Sequence, residues 1–164
     1  VSTLLLVHHA PTPSVRALAD AVTAGARDPE IDGVDVVVRP ALEATAADVL
    51  AADGYVLGTP ANFGYMSGAL KHFFDTIFLE AGGALSDDGS AASGADGPAR
   101  RKPYALWVHG RYDTAGAVRA VQSIVGALGW AQAAPVLEIL GDVEEPQRAA
   151  AYELGATLAA LLSA

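Results

Sequence analysis

The chain alternates between two periods, and that alternation limits its folds more than any single motif. Five short apolar runs have strand length: Thr3 to His8, Val34 to Arg39, Gly54 to Gly58, Lys102 to His109 and Pro135 to Leu140. Stretches with apolar residues at helical spacing separate and follow them: Val15, Leu18, Ala19 and Val22; a short segment from Ala46 to Ala52; Met66, Leu70, Phe73, Phe74 and Ile77; Val118, Val121, Val125 and Leu128; and Leu154, Leu158 and Leu161. Runs such as Leu4-Leu5-Leu6-Val7 and Val36-Val37-Val38 are apolar at every position, as strands covered on both faces must be. Strand and helix in strict rotation predict an α/β fold with a parallel sheet between two helical layers. For five strands joined by right-handed crossovers, the common order is 2-1-3-4-5.

Punctuation sharpens the boundaries. Ser14, or Thr12 before it, can cap the first helix, and Pro13 suits its first turn. Thr45 can cap the second helix, and Pro146 falls where the last one begins. Proline has no amide hydrogen, so Thr59-Pro60 predicts that the third strand stops at Gly58. From Ala81 to Arg101 the only large apolar residue is Leu85, and glycine, serine and aspartate dominate. Such a segment cannot bury enough surface to offset its ordering entropy, so a mobile surface insert is expected there. The whole of 1–164 reads as one domain with that insert.

Composition removes several function classes. The net charge of −9 argues against a nucleic-acid partner, which needs a basic face. Without cysteine there is no disulfide, thiolate nucleophile or thiolate metal site. The four histidines, His8, His9, His72 and His109, have no matching ligand spacing, so no metal is expected. The apolar run at the start is too short for a signal peptide, and no stretch approaches membrane-spanning length. The expectation is a soluble cytoplasmic protein with no membrane partner. Tyr-Met-Ser67-Gly-Ala is not a nucleophile elbow, Lys71 and Asp75 read as a solvated helical pair, and Trp107 and Trp130 read as packing residues.

In the order 2-1-3-4-5, the loops after strands 1, 3 and 4 lie side by side at one sheet edge, where open α/β sheets bind ligands. Those loops are His9–Ser14, Thr59–Tyr65 and His109–Thr114, and all three are polar or aromatic. The first ends at a helix amino terminus, where free amides attract an anion. His9, Thr12 and Ser14 add donors, and the loop fits a phosphate group. The second carries Asn62, with both donor and acceptor, between Ala61 and the aromatic pair Phe63 and Tyr65, with Gly64 in the turn. The third, with Gly110, Arg111, Tyr112 and Asp113, forms an opposite wall. A phosphate at one end and a flat heterocycle at the other describe a mononucleotide, and FMN is the one expected at such a switch point.

Gly58-Thr-Pro-Ala-Asn-Phe-Gly-Tyr-Met-Ser-Gly-Ala-Leu-Lys-His-Phe-Phe-Asp75 resembles the signature of flavodoxin-like FMN proteins. It is most similar to the WrbA group of NAD(P)H:quinone oxidoreductases. The resemblance implies a flavodoxin-like α/β/α sandwich that binds FMN, with Thr12, Pro13, Ser14 and Val15 on the phosphate, Thr59, Pro60, Ala61, Asn62, Phe63 and Gly64 at the ring edge, and His109 to Asp113 on the other side. It also implies NAD(P)H as electron donor, a quinone or similar small molecule as acceptor, and a possible homo-oligomer. His109 is the candidate for a polar group near the flavin, and no general base is required. The first loop departs from the family in carrying Pro11 and Pro13 in place of serine and glycine. Two alternatives therefore stay open: a non-enzymatic electron carrier, for which the acidic charge is apt, and a flavodoxin-like domain that no longer binds flavin.

Overall fold

A computed structural model describes residues 1–92 and 99–164, with backbone only at 91 and 92. Its elements in chain order are β1 (Ser2–His8), α1 (Pro13–Ala26), β2 (Val34–Pro40), α2 (Ala46–Ala51), β3 (Gly54–Asn62), β4 (Tyr65–Met66), α3 (Gly68–Ile77), β5 (Ala84–Leu85), β6 (Ala91–Ala92), β7 (Pro103–Gly110), α4 (Ala115–Leu128), β8 (Ala131–Gln132), β9 (Leu137–Leu140) and α5 (Glu145–Ser163). The main sheet runs β2-β1-β3-β7, with β8 and β9 both paired parallel to β7. Counting β8 and β9 as two pieces of one edge strand, this is the expected order 2-1-3-4-5. Pro135 falls in the gap between the pieces, so the fifth strand proper begins at Leu137 rather than Pro135.

Strand alternation divides the core in two. Leu4, Leu6, Val56, Ala105 and Trp107 pack against α1 and α5. Leu5, Val7, Tyr55, Leu57, Leu106 and Val108 pack against α2, α3 and α4. Tyr55 stacks on Trp130 with ring centroids 4.0 Å apart, and its hydroxyl donates to the Val49 carbonyl at 2.8 Å, so its polar tip is satisfied inside the core. Both tryptophans are buried, as packing residues should be. Thr45 and Asp48 form a reciprocal capping box on α2, and Gly129 closes α4 in the left-handed conformation.

One expectation needs correction. The third strand does not stop at Gly58; it continues through Pro60 to Asn62. Neighbouring residues of a strand direct their amides to opposite sides. The Gly58 carbonyl faces β1, where it accepts from His9, so Pro60 faces that side too. The β1 pairing ends at His8 and Gly58, and no ladder partner there requires an amide from Pro60. On the other side the strand keeps pairing with β7 as far as Pro60 and His109. Proline is tolerated where its missing donor faces no neighbour.

Part of the insert carries regular structure. Residues 84–85 and 91–92 form a small antiparallel hairpin, Ala81 and Ala99 are buried, and the Arg101 amide donates to Gly129. Its ends are held by backbone hydrogen bonds and small buried side chains, which a count of large apolar residues does not register. Residues 93–98 of the expected mobile insert lie outside the described residues.

Candidate functional site

The register of the sheet brings the three loops together. His8 pairs with Gly58, and Pro60 pairs with His109, so the chain leaves β1, β3 and β7 at adjacent points of one edge. With strands spaced about 4.8 Å apart, the first and third loops are separated by about 10 Å, across the second.

Thr12, not Ser14, caps α1: its hydroxyl accepts from the Val15 amide at 3.4 Å, and its carbonyl accepts from Arg16. The amides of Ala10, Thr12 and Ser14 have no protein acceptor among the described residues, and the two prolines between them carry none. The Ser14 hydroxyl is likewise unengaged there, and Thr12 is exposed. Val15 is buried, so it offers no side chain to a ligand. His9 donates its amide to Gly58, and its Nδ1 is buried without a partner among the described residues. Its neighbour His8 lies 6.5 Å from the Trp107 ring. Burial holds the His8 imidazole below its ordinary pKa, Asp20 opposes this, and the adjoining His9 adds to it.

A base held low in the fold takes up its proton more readily when unfolded. The His8 contribution is therefore fully present above about pH 6.5 and is lost as pH falls through that value towards the depressed folded one. Urea unfolding at pH 7.5 and 5.5 checks this: the wild type should lose more stability on acidification than His8→Gln. An equal loss would remove His8 as the cause.

The second loop is a two-residue hairpin. Ala61 faces Met66 and Asn62 faces Tyr65, with Phe63 and Gly64 at the tip. Both tip residues have positive φ, 50° and 76°, as a type I′ turn requires. Glycine is at ease there; phenylalanine is strained, and its side chain is fully exposed. An exposed aromatic held in an unfavourable backbone conformation contributes nothing to the core. Thr59 and Pro60 are buried instead of lying at the surface. The Thr59 hydroxyl donates to the Pro60 carbonyl at 2.8 Å and accepts the Ser67 amide at 2.9 Å, so it braces the hairpin from within. Ser67 in turn caps α3.

Gly116, in the first turn of α4, seats this hairpin. A Cβ there would lie 2.0 Å from the Gly64 carbonyl oxygen. Gly116→Ala should therefore lift the tip, changing the proteolytic sensitivity of residues 61–66. The global melting temperature should fall by only a few degrees, since the hairpin can move without opening the core. An unchanged cleavage rate would show that the tip is positioned by other contacts.

The third loop is anchored to the turn after β9. His109 Nε2 lies 2.7 Å from the Gly141 carbonyl and must carry its proton to donate there. The Gly141 amide donates back to Gly110, and Arg111 pairs with Asp142 at 3.2 Å. Asp113 accepts the Ala115 amide, while Thr114 donates to Glu138 at 2.7 Å. The Arg111 charge is thus already matched, and the His109 imidazole is tied through one nitrogen. Tyr112 stands free at 89% exposure. Nothing in the sequence marks Glu138 on β9, or Gly141 and Asp142 in the turn after it, because no aromatic or hydroxyl cluster accompanies them. Among the described residues no group of three or more acidic or histidine side chains is placed to hold a metal, and no helix is long and apolar enough to cross a membrane.

Fold and loops together define a flavodoxin-like protein. A sequence model of the family described as NADPH-dependent FMN reductase matches residues 13–142, and the chain belongs to that family. A flavodoxin from Aquifex aeolicus (strain VF5) is 35% identical over 89 residues, which are 54% of this chain and 46% of that one, so the match spans about half the length of the relative. Among solved structures, an archaeal flavodoxin superposes with a TM-score of 0.77 at 17% identity, over 98% of both chains. A WrbA-like flavodoxin from Agrobacterium tumefaciens gives 0.71 at 17% identity, over 99% of this chain and 98% of that one. At such identities the likeness is one of fold.

Proposed function

We propose that the chain binds FMN at the three-loop edge and acts as an NAD(P)H-dependent oxidoreductase towards a quinone or similar small acceptor. The observation that carries this is the exposure of two aromatics, Phe63 and Tyr112, on neighbouring loops, beside a first loop whose Ala10, Thr12 and Ser14 amides are open. The residues fit the group. The open amides and two hydroxyls at the α1 terminus suit a phosphate. The hairpin and the third loop offer flat aromatic surface and the Asn62 amide to a heterocycle. Pro11 and Pro13 withdraw two donors but stiffen the loop, which lowers the entropy lost on binding. When bound, FMN would supply the redox chemistry, taking hydride from the nicotinamide and passing two electrons to the acceptor. The chain's part is to grip, orient and shield; His109, fixed by Gly141, orients the third loop.

Family membership favours the reductase reading. The flavodoxin relative and the acidic charge favour an electron carrier as the second reading. A titration with FMN followed by visible absorbance tests both, because no saturable spectral change would exclude each. Once flavin is bound, NADPH under argon separates them: bleaching within seconds supports the reductase, and persistent oxidised flavin supports the carrier. Ser14→Ala should weaken FMN by about tenfold, the loss of one charge-assisted hydrogen bond, while leaving riboflavin affinity unchanged. Equal losses for both ligands would move the phosphate elsewhere.

A further inference from the structure

On the α2–α4 side a groove runs from beneath the hairpin between α3 and α4. Near the hairpin it is a hollow of about 530 Å³ lined by Tyr65, Lys71, Gly116, Arg119, Ser123 and Ile124. Lys71, Ser123 and Ile124 also line a second hollow, of about 330 Å³, which continues towards the helix carboxyl ends over Phe74, Phe78 and Ala127. Leu85 and Gly89 of the insert wall that far end. From Gly116 to Ala127 the groove follows α4 for about 16 Å at the helical rise. Both hollows fall in the size range of small-molecule sites.

Its chemistry is graded along its length. At the end nearest the hairpin stand two cations, Lys71 and Arg119, and the amino-terminal turns of both helices, which favour negative charge. Lys71 is matched by Asp75 at 2.6 Å. Arg119 has no ion pair or side-chain hydrogen bond among the described residues, in a chain with 19 acidic and 10 basic side chains. At the other end Phe78, Leu85, Ile124 and Ala127 offer apolar surface above the buried Phe74, with Leu85 half exposed, and the one carboxylate on that wall, Asp75, is taken up by Lys71. Three partly exposed apolar side chains and the half-exposed Leu85 thus face one hollow.

We propose that this groove binds an anionic amphiphile: a carboxylate head at Arg119 and Ser123, and an unbranched apolar chain running over Ile124 and Phe78 to the underside of the insert. Charge complementarity fixes the orientation, and the insert hairpin closes the apolar end. The site touches the loop edge only at Tyr65 and Gly116, and its apolar end lies beyond it under the insert.

Dodecanoate, kept below its micelle concentration, is the probe. Calorimetry with the full chain should show saturable binding near one per chain. Arg119→Glu should weaken it by about tenfold or more, and Ser123→Trp, which fills the middle of the groove from an exposed position, should abolish it. Dodecyltrimethylammonium should bind at least about tenfold more weakly than dodecanoate. In methyl spectra of the unaltered protein, dodecanoate should shift the Ile124 resonance, a readout that requires no variant to fold. Absence of saturable binding up to about 1 mM overturns the proposal, as does binding that survives Ser123→Trp with an unmoved Ile124 methyl. Equal affinity for the cationic amphiphile overturns the assigned head group. FMN binding, read separately by absorbance, bears only on the loop edge, so the two readings fail independently.

Discussion

Gly25→Ala combined with Gly155→Ala is expected to cost the fold about 3 kcal/mol, more than any other change considered at the helix layers. These glycines face each other's helix where α1 crosses α5. A Cβ on Gly25 would lie 1.8 Å from the Tyr152 carbonyl oxygen, and one on Gly155 would lie 2.0 Å from the Val22 carbonyl oxygen. Both obstacles are backbone, so no side chain can rotate away and the helices must part. Parting them opens the cluster formed by Val15, Leu18, Val22, Ala151, Leu154 and Leu158. Alanine is the better helix former by about 1 kcal/mol at each position. Overpacking costs about 1–3 kcal/mol and more when the backbone must move, so the clash wins. Each single variant should lose about 2 kcal/mol, a large share of the stability of a small domain. The double should lose less than the sum, because a pair of helices separated by the first methyl group already has room for the second. Urea titrations of the two singles and the double check this; a single variant as stable as the wild type would show that the crossing is looser than described.

Gly58→Ala should cost a similar amount by a different route, about 3 kcal/mol. Here the added methyl would lie within 2.0 Å of the Trp107 ring, whose Cε2, Cζ2 and Nε1 atoms cover Gly58 from the next strand. Trp107 is one of the largest fully buried side chains, wedged between the sheet and the α1–α5 layer, and has nowhere to turn. Because the obstacle is a side chain, the damage can be repaired. Trp107→Leu alone leaves a cavity and is destabilising. Combined with Gly58→Ala it should recover at least about 1 kcal/mol relative to the sum of the singles. Strictly additive losses would mean that indole and glycine are not in contact. Red-shifted tryptophan emission from Gly58→Ala, measured in a Trp130→Phe background, would report the displaced ring directly.

Much of this architecture is legible from periodicity. The apolar runs at 3–8, 34–39 and 104–108 and the helical stripes around Val15 and Leu70 report strands and helices because burial on a sheet and on a helix repeats at different intervals. The loop edge follows from the strand order, and the hairpin from Asn62 to Tyr65 coincides with the stretch that carries the family signature. Pro60 departs from the local rule that proline ends a strand. Its effect depends on whether a neighbouring strand faces its missing amide, which is a property of the sheet register.

The sequence by itself determined the order of the elements, the two-sided burial of the sheet and the polar edge where three loops end, since each rests on local spacing and composition. Only the tertiary structure decided which groups at that edge are free. Arg111 and His109 look available in the sequence, yet they are held by Asp142 and Gly141, more than 25 positions away. Thr59 looks like a surface hydroxyl, yet it is buried as a brace for the hairpin. The groove between α3 and α4, and the glycines that let helices and strands touch, likewise arise between segments distant along the chain. Short-range patterns report the burial of an element, but partnership between side chains is set by distances that exist only after the elements have packed.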